Sequence, residues 1–440
     1  SRRKKIPSDP QPAHIDSLSH EGRGIASIAG KTTFIHGALP GEDVMFRYSN
    51  RRAKFDEGYI VEVIKASGDR KTPECPHFGV CGGCSLQHME NDAQLQHKQQ
   101  VLLDQFEHIG HVKPESLFEP ITGPVQGYRR KARLGVKFVA KKDKVLVGFR
   151  EIYSRFVADI DRCMVLHPAV GEKLLALQAL IQGLSIFRQL PQLEVAVSDD
   201  LTVLVLRHLQ PLTSDDRDRL IEFETQHDVI FFLQPKGPDS VVKLSDDEFP
   251  GLRYRLPDHD IEIVFQATDF TQVNMEINRQ MINRVLDLFE LNNQDRVLDL
   301  FCGLGNFTLP VAKYCGHVTG VEADPGLIER ARFNAMHNGL DNTEFVVANL
   351  MDETLEAAFL HERFNKVLLD PPRSGAREII ERLDLSNTEI LVYVSCNPAT
   401  LALDAGILVH QKKLRLVGAG IMDMFPHTSH VESIALFQPE

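Results

Sequence analysis

At 440 residues, 43% hydrophobic and 25% charged, the chain has the composition of a soluble globular protein with room for roughly two to four domains. No apolar run approaches the ~18 residues needed to span a bilayer, and no signal-peptide core follows the basic start, so the cytoplasm is the expected location and no membrane partner is expected. The net charge of −12 argues against a nucleic-acid partner only on average. From Ile121 to Arg155 ten Lys/Arg stand against Asp143 and Glu151, whereas from Asp199 to Glu262 acids outnumber bases by about two to one. Such segregation lets a polyanion meet a basic face on an acidic protein.

The opening Ser1-Arg-Arg-Lys-Lys5 lacks an initiator Met, as expected after processing or trimming. After this basic tail and the Pro-containing Ile6–Pro12, turn signals recur at Gly22-Arg-Gly24, Gly30-Lys31, Leu39-Pro-Gly41 and Phe55-Asp-Glu-Gly58. Strands are predicted between them at Thr32–His36, Asp43–Tyr48 and Tyr59–Ile64. Several short strands from about Ala13 to Ala66 suggest a small closed barrel of the OB type, a common oligonucleotide platform, so that residues 1–67 make up the basic tail and this barrel. Arg47, Arg51, Arg52 and Lys54 suit phosphate contacts, and a solvated basic loop accounts for them as well.

Next comes Pro73-Glu-Cys75-Pro-His-Phe-Gly-Val-Cys81-Gly-Gly-Cys84. Seven cysteines, an odd number with three crowded together, speak against a disulfide framework and for metal or thiol chemistry. Cys163, in Asp161-Arg-Cys-Met, is the best candidate for a fourth ligand, and His77 or His88 could substitute less well. Four thiolates suit zinc or an iron–sulfur cluster, and the spacing leaves both open. Joining segments far apart in sequence, such a site would act as a structural staple.

A helix is expected from Asp92 to Ile109, packing on the catalytic half, and another at Val170–Gln182. Tyr128-Arg-Arg-Lys-Ala-Arg133-Leu-Gly-Val-Lys-Phe138 reads as a basic strand whose interleaved aromatics and cations suit RNA, with Arg129, Arg130 and Arg133 as contacts. Further strands at Val145–Phe149, Leu193–Val197 and Thr202–Leu206 make residues 68–271 a mixed α+β domain.

From Gln272 to residue 440 the pattern becomes strict strand–turn–helix alternation. Arg296-Val-Leu-Asp-Leu-Phe301 runs into the Gly-rich turn Cys302-Gly-Leu-Gly-Asn-Phe307, and a second strand ends on Glu322, which could accept hydrogen bonds from a ribose diol. There is no G-x-G-x-x-G and no phosphate-binding Lys, so dinucleotide and ATP readings are disfavoured. Val346-Val-Ala-Asn349 and Val367-Leu-Leu-Asp370 end two more strands on polar residues. Four strand ends facing one crevice resemble the α/β Rossmann-like S-adenosylmethionine-dependent methyltransferase fold.

The stretch Ile390-Leu-Val-Tyr-Val-Ser-Cys396-Asn-Pro398 delivers a thiol where a buried strand meets a turn and a helix start. A free Cys is usually a small buried hydrophobe, and Cys302 and Cys315 are read that way. Cys396 is read as a nucleophile. Thiolate addition beside a poorly nucleophilic carbon is one way to make that carbon take a methyl group. A base must then remove the proton left on that carbon, and Glu432, just before the apolar strand Ser433–Phe437, is the candidate. His427 and His430 are expected to be packing or phosphate contacts. The target base must leave its stack to reach Cys396.

Asp-Phe-Thr-Gln272-Val-Asn274, Leu-Asp-Leu-Phe301-Cys-Gly-Leu-Gly-Asn306-Phe, Asp370-Pro-Pro-Arg373, Tyr-Val-Ser-Cys396-Asn-Pro and Asp423-Met-Phe-Pro-His427-Thr-Ser-His430-Val-Glu432 together resemble the RNA uracil-C5-methyltransferase family. With an N-terminal barrel similar to a TRAM domain and the Cys75/Cys81/Cys84/Cys163 set, the chain most resembles its bacterial 23S ribosomal RNA branch. The resemblance implies S-adenosylmethionine as methyl donor, a [4Fe–4S] cluster on those four cysteines, and 23S ribosomal RNA as substrate. It also implies that Gln272, Phe301, Asn306, Glu322, Asn349 and Asp370 contact the methyl donor and the target base. No obligate protein partner is evident, and a monomer is expected. Two other readings are an RNA amino-methyltransferase using the Asp370-Pro-Pro loop, with Arg373 where an aromatic is usual, and a non-catalytic RNA-binding or assembly factor.

Overall fold

A computed structural model describes residues 6–440, and the basic tail Ser1–Lys5 lies outside the described residues. The chain forms a multidomain α/β protein that divides into two compact units, taken in turn. Among the described residues no helix is long and apolar enough to cross a membrane.

The first unit comprises residues up to Val101 together with Phe149–Ala158 and Phe425–His430. Its centre is a six-stranded sheet in the order Gln11–His14, Asp43–Arg51, Asp56–Lys65, Lys31–His36, Gly24–Ile28, Ser17–Leu18. All pairings are antiparallel except the parallel one between Lys31–His36 and Asp56–Lys65. Alternate residues face inward, and Ala13, Ile15, Ala26, Ile35, Val44 and Phe46 make the core. Three register shifts between Asp43–Arg51 and Asp56–Lys65 bend the longest ribbon. Gly58 permits the close crossing there, since a Cβ would come within 2.7 Å of the Phe46 ring and 2.6 Å of the Arg47 carbonyl.

The second unit carries two larger sheets. One has the order Val242–Lys243, Ile230–Gln234, Thr202–Arg207, Gln192–Val197, Lys131–Val139, Lys144–Gly148. The basic strand begins at Lys131 rather than Tyr128, because Arg129 is taken up by single bridges to Leu166 and Asn274. Helix Ser214–His227 opens with a capping box in which Thr213 and Asp216 satisfy each other's backbone N–H groups.

The other sheet has the order Thr343–Val347, His317–Glu322, Arg296–Leu300, Lys366–Leu369, Ile390–Ser395, Glu432–Pro439, Leu414–Met422, Ser116–Leu117. Its first five strands are parallel, and Glu432–Pro439 inserts antiparallel beside Ile390–Ser395. The strand order reverses between Arg296–Leu300 and Lys366–Leu369, so a crevice opens at the carboxyl ends of the strands there. Val297, Leu298, Leu300, Val367, Leu368, Leu369 and all of Ile390–Ser395 are buried, which explains their unbroken apolar runs.

Two predicted helices differ from expectation. The one beginning near Asp92 is α-helical over Asn91–Gln105 and then widens into a π-helical turn, Phe106–Gly110. The cause is contact: Gly110 lies so close to helix Pro398–His410 that a Cβ would sit 2.4 Å from the Ala402 carbonyl. The one expected over Val170–Gln182 is two helices, Pro168–Gly171 and Leu174–Gln182. Gly171 is pressed against the Cys163 carbonyl and accepts the Cys163 N–H at 2.9 Å.

Candidate active site

A cavity of about 540 Å³ opens at the carboxyl ends of the parallel strands in the second unit. The elements deliver its lining one strand at a time. Arg296–Leu300 ends at Phe301, whose φ of +66° is rare for a residue with a side chain and marks the start of the tight Gly-rich turn. Glu322 is the last residue of the next strand. Its Oε1 accepts from the Ala323 and Asp324 N–H groups at 2.7 and 3.1 Å, and its Oε2 accepts from Gly303 N–H at 3.3 Å. Asn349 follows Thr343–Val347, and Asp370 follows Lys366–Leu369. Gln272 lies just before helix Met275–Phe289, whose first turn is capped by Asn274. All of these, with Asn306, Cys396 and Glu432, line the same cavity.

Cys396 sits between the end of Ile390–Ser395 and the start of helix Pro398–His410. Ser395 Oγ accepts from Asn397 N–H at 3.0 Å and Asn397 Oδ1 from Ala399 N–H at 3.1 Å, so the turn carrying the thiol is clamped on its C-terminal side. The neighbouring strand starts at Glu432. Because Ser395 pairs with Ser433, Cys396 and Glu432 occupy the next step of the same antiparallel ladder.

Electrostatics of this crevice favour neutral acids. Burial pushes the Cys396 thiol up to about 11, the negative charges of Glu432 and Asp370 add to the shift, and Arg373 opposes it. Burial likewise raises Asp370 to about 7, with the charge of Asp299 behind it adding to the effect. Asp299 is itself raised to about 7, first by burial and then by Glu322, against a hydrogen bond from Thr308 Oγ1. Cys396 is therefore a thiol at neutral pH until a positive charge or a proton acceptor comes to it.

Sequence reasoning missed several wall residues. Tyr254 reaches in from the ribbon Leu252–Leu256/Ile261–Phe265, and its hydroxyl donates to Asn306 Oδ1 at 2.8 Å. Asn278 forms a reciprocal amide pair with Asn306, at 3.0 and 2.8 Å. Asn306 is thus held from two sides, leaving one amide N–H for a ligand. Tyr254 lies outside every motif, so no local signal pointed to it. Phe270, 72% exposed on the cavity rim, stood in plain view within Asp-Phe-Thr-Gln272.

The remaining candidates separate by environment. Cys302 and Cys315 are buried with raised pKa values, as packing thiols should be. In the first unit, His427 is a loop-packing residue: its carbonyl accepts from Ser85 and Leu86 N–H, and its own N–H donates to Gln94 Oε1. The loop bearing Cys75, Cys81 and Cys84 is folded by short turns, and Gly83 N–H donates to Cys81 Sγ at 3.4 Å. Cys163 lies in the second unit. Among the described residues no three His, Cys, Asp or Glu side chains are gathered closely enough to hold a metal ion. The three arginines expected to grip RNA are not equivalent. Arg130 is ion-paired to Asp199 at 2.6 Å and Arg129 donates to the Lys131 carbonyl, whereas Arg133 is 68% exposed, with Glu194 at 3.7 Å.

The sequence profile of the tRNA (Uracil-5-)-methyltransferase family matches residues 90–439. The chain is similar to "23S rRNA (uracil(1939)-C(5))-methyltransferase RlmD" of Alkalilimnicola ehrlichii, 51% identical over 439 residues that cover 100% of this chain and 99% of that one. The protein of the same name from Francisella tularensis subsp. novicida is 49% identical over 432 residues, covering 97% and 96%. Among solved structures, the Pyrococcus abyssi tRNA (uracil-54, C5)-methyltransferase in complex with S-adenosyl-L-homocysteine matches with a TM-score of 0.73. That match covers 97% of this chain and 100% of the other at 24% identity, a likeness of fold.

Proposed function

The chain belongs to the tRNA (uracil-5-)-methyltransferase family, and from that membership we propose that it methylates C5 of one uridine in 23S ribosomal RNA, using S-adenosylmethionine. The observation that carries this reading is one cavity lined by Cys396, Glu432 and the polar strand ends. The donor set fits the cofactor: Glu322 suits a ribose diol, Asn349 a purine edge, and the Gly-rich turn at Phe301 close approach of a ligand to backbone. When bound, S-adenosylmethionine supplies an electrophilic methyl group and a positive sulfonium charge.

The protein's own groups do the rest. Cys396 loses its proton to solvent and its Sγ bonds to C6 of the flipped uracil, while the C5–C6 π bond opens into an enolate on O4 and leaves C5 a nucleophile. Once C5 is methylated, Glu432 accepts the C5 proton, the C5–C6 double bond re-forms, and the Cys396–C6 bond breaks. Gln272 and Asp370 hold the base, and Asp370, mostly protonated below its raised pKa, can donate to a uracil carbonyl as negative charge develops there.

The wider assignment rests on the same membership. Residues 1–67 comprise a basic tail and a TRAM-type OB-like barrel, 68–271 a central α+β domain with the iron–sulfur site and 272–440 the methyltransferase domain. The protein acts as a cytoplasmic monomer. Cys75, Cys81, Cys84 and Cys163 would hold a [4Fe–4S] cluster, an assignment supported by the soft donor set and by the N–H group aimed at Cys81 Sγ.

The test is to separate the two chemical roles. Cys396→Ala should bind RNA yet form no covalent adduct. Glu432→Gln should add and transfer methyl, then stall, leaving a protein–RNA adduct that survives a denaturing gel. Normal turnover by Cys396→Ala would end the covalent scheme, and release of methylated RNA by Glu432→Gln at the wild-type rate would move the base role to Asp370.

A further inference from the structure

The first unit contains a cavity of about 760 Å³ that shares no lining residue with the catalytic one. Its size is within the ~300–1,000 Å³ of small-ligand sites. Three adjacent strands set a transverse row on the outer face of the sheet: Arg47 pairs with Tyr59, and Tyr59 with His36. Tyr153, from the segment Phe149–Ala158, completes the wall, its ring 5.1 Å from that of His36 at 83° and 5.8 Å from that of Tyr59. Tyr59 and Tyr153 are nonetheless 36% and 53% exposed, so the rings stand open on one side.

Two further features point to a ligand. His88 lines this cavity at only 2% exposure, and neither of its ring nitrogens has a hydrogen-bond partner. As an imidazole it offers one donor and one acceptor. Two unmet polar atoms in a buried place are costly unless something fills them. The cations on the sheet also differ. Arg23, Arg51 and Arg52 are paired with Glu21 and Glu57, Asp56, and Glu57 respectively, whereas among the described residues Arg47 has no acid partner.

We infer that this cavity receives one unpaired nucleobase of the RNA strand, a base other than the one methylated, stacked on Tyr59 and Tyr153 with its edge on His88 and its phosphate near Arg47. Aromatic faces give stacking that any base can use, a donor–acceptor pair reads an edge, and a lone exposed guanidinium answers a backbone phosphate. The inference rests on the RNA substrate proposed above and adds a second point of grip on it.

The test uses the full chain, purified anaerobically, and a fragment of 23S ribosomal RNA with 4-thiouridine placed singly at unpaired positions around the target. Irradiation should crosslink one non-target position to a peptide containing Tyr59 or Tyr153. Tyr59→Ala and Tyr153→Ala should each weaken RNA binding roughly ten-fold without changing its salt dependence. Arg47→Gln should lower the salt slope by about 0.7. Tyr153→Phe keeps the ring and should bind as wild type, which separates lost stacking from lost folding. Wild-type affinity in both Ala variants, or crosslinks confined to other peptides, overturns the site while methylation by the wild type leaves the function standing. A wild-type protein that neither binds nor methylates the fragment overturns both.

Discussion

Cys396 is the proposed nucleophile, and its surroundings hold its thiol back. A thiol raised to about 11 is almost wholly protonated at pH 7, so alkylation by iodoacetamide should be slow and should climb with pH until about 11. Glu432 contributes to that suppression by its charge, so Glu432→Gln should make Cys396 alkylate faster at pH 8 even as methyl transfer stalls. Mass-spectrometric labelling kinetics of the two proteins would show it, and equal rates would remove Glu432 as the electrostatic neighbour. A cationic, non-transferring analogue of S-adenosylmethionine should act in the same direction, because a positive charge in the cavity opposes both carboxylates. Tyr254 shows the limit of reading at this scale. It positions Asn306 through one hydroxyl across a separation of 52 residues, and no local pattern marks the pairing.

At the level of elements, what could be read was what repeats locally. The parallel strands were legible because each is mainly apolar and ends near a polar residue. The π-helical turn at Phe106–Gly110 and the break at Glu172 and Lys173 were not, because their causes are backbone contacts with Ala402 and Cys163. Only the glycines Gly110 and Gly171 hint at them. The cysteine loop belongs to this scale too. Its thiols were evident from spacing, but the choice of metal is not a matter of spacing. Protein purified without oxygen should be brown, with broad visible absorbance and about four irons per chain. A colourless protein with one zinc would keep the ligands and change the metal. Cys81→Ser should lose the colour in either oxidation state.

Across the whole molecule the average charge of −12 conceals where a polyanion can land. Composition alone pointed away from RNA; the distribution of charge pointed toward it. The structure narrows the basic face further, since Arg130 is consumed by Asp199 and Lys131 by Glu194, while Arg133 and Lys137 remain exposed on their strand. Arg133→Glu with Lys137→Glu should therefore weaken RNA binding and reduce the salt slope by more than one. Arg130→Glu should instead lower thermal stability, because it places a like charge beside the half-buried Asp199. A salt series and a melting curve on the two proteins distinguish a docking face from an internal tie. If the double reversal bound RNA like wild type, the landing site would lie elsewhere.

The pairing of Ser395 with Ser433 has a consequence for how such a protein can change over generations. Cys396 and Glu432 are neighbours by ladder position, not by distance along the chain. Between them, the turn Gln411–Lys413 can lengthen or shorten without moving either group, provided the strands keep their register, whereas helix Pro398–His410 and strand Leu414–Met422 are held by the turn and the sheet. Loss of a single residue inside Glu432–Pro439 would do the opposite, turning the carboxylate to the other face of the sheet while leaving length and composition almost untouched. An alignment of strands is therefore what the chemistry needs kept, and insertions should be tolerated in the turn at Gln411–Lys413 while the eight residues after Val431 tolerate none.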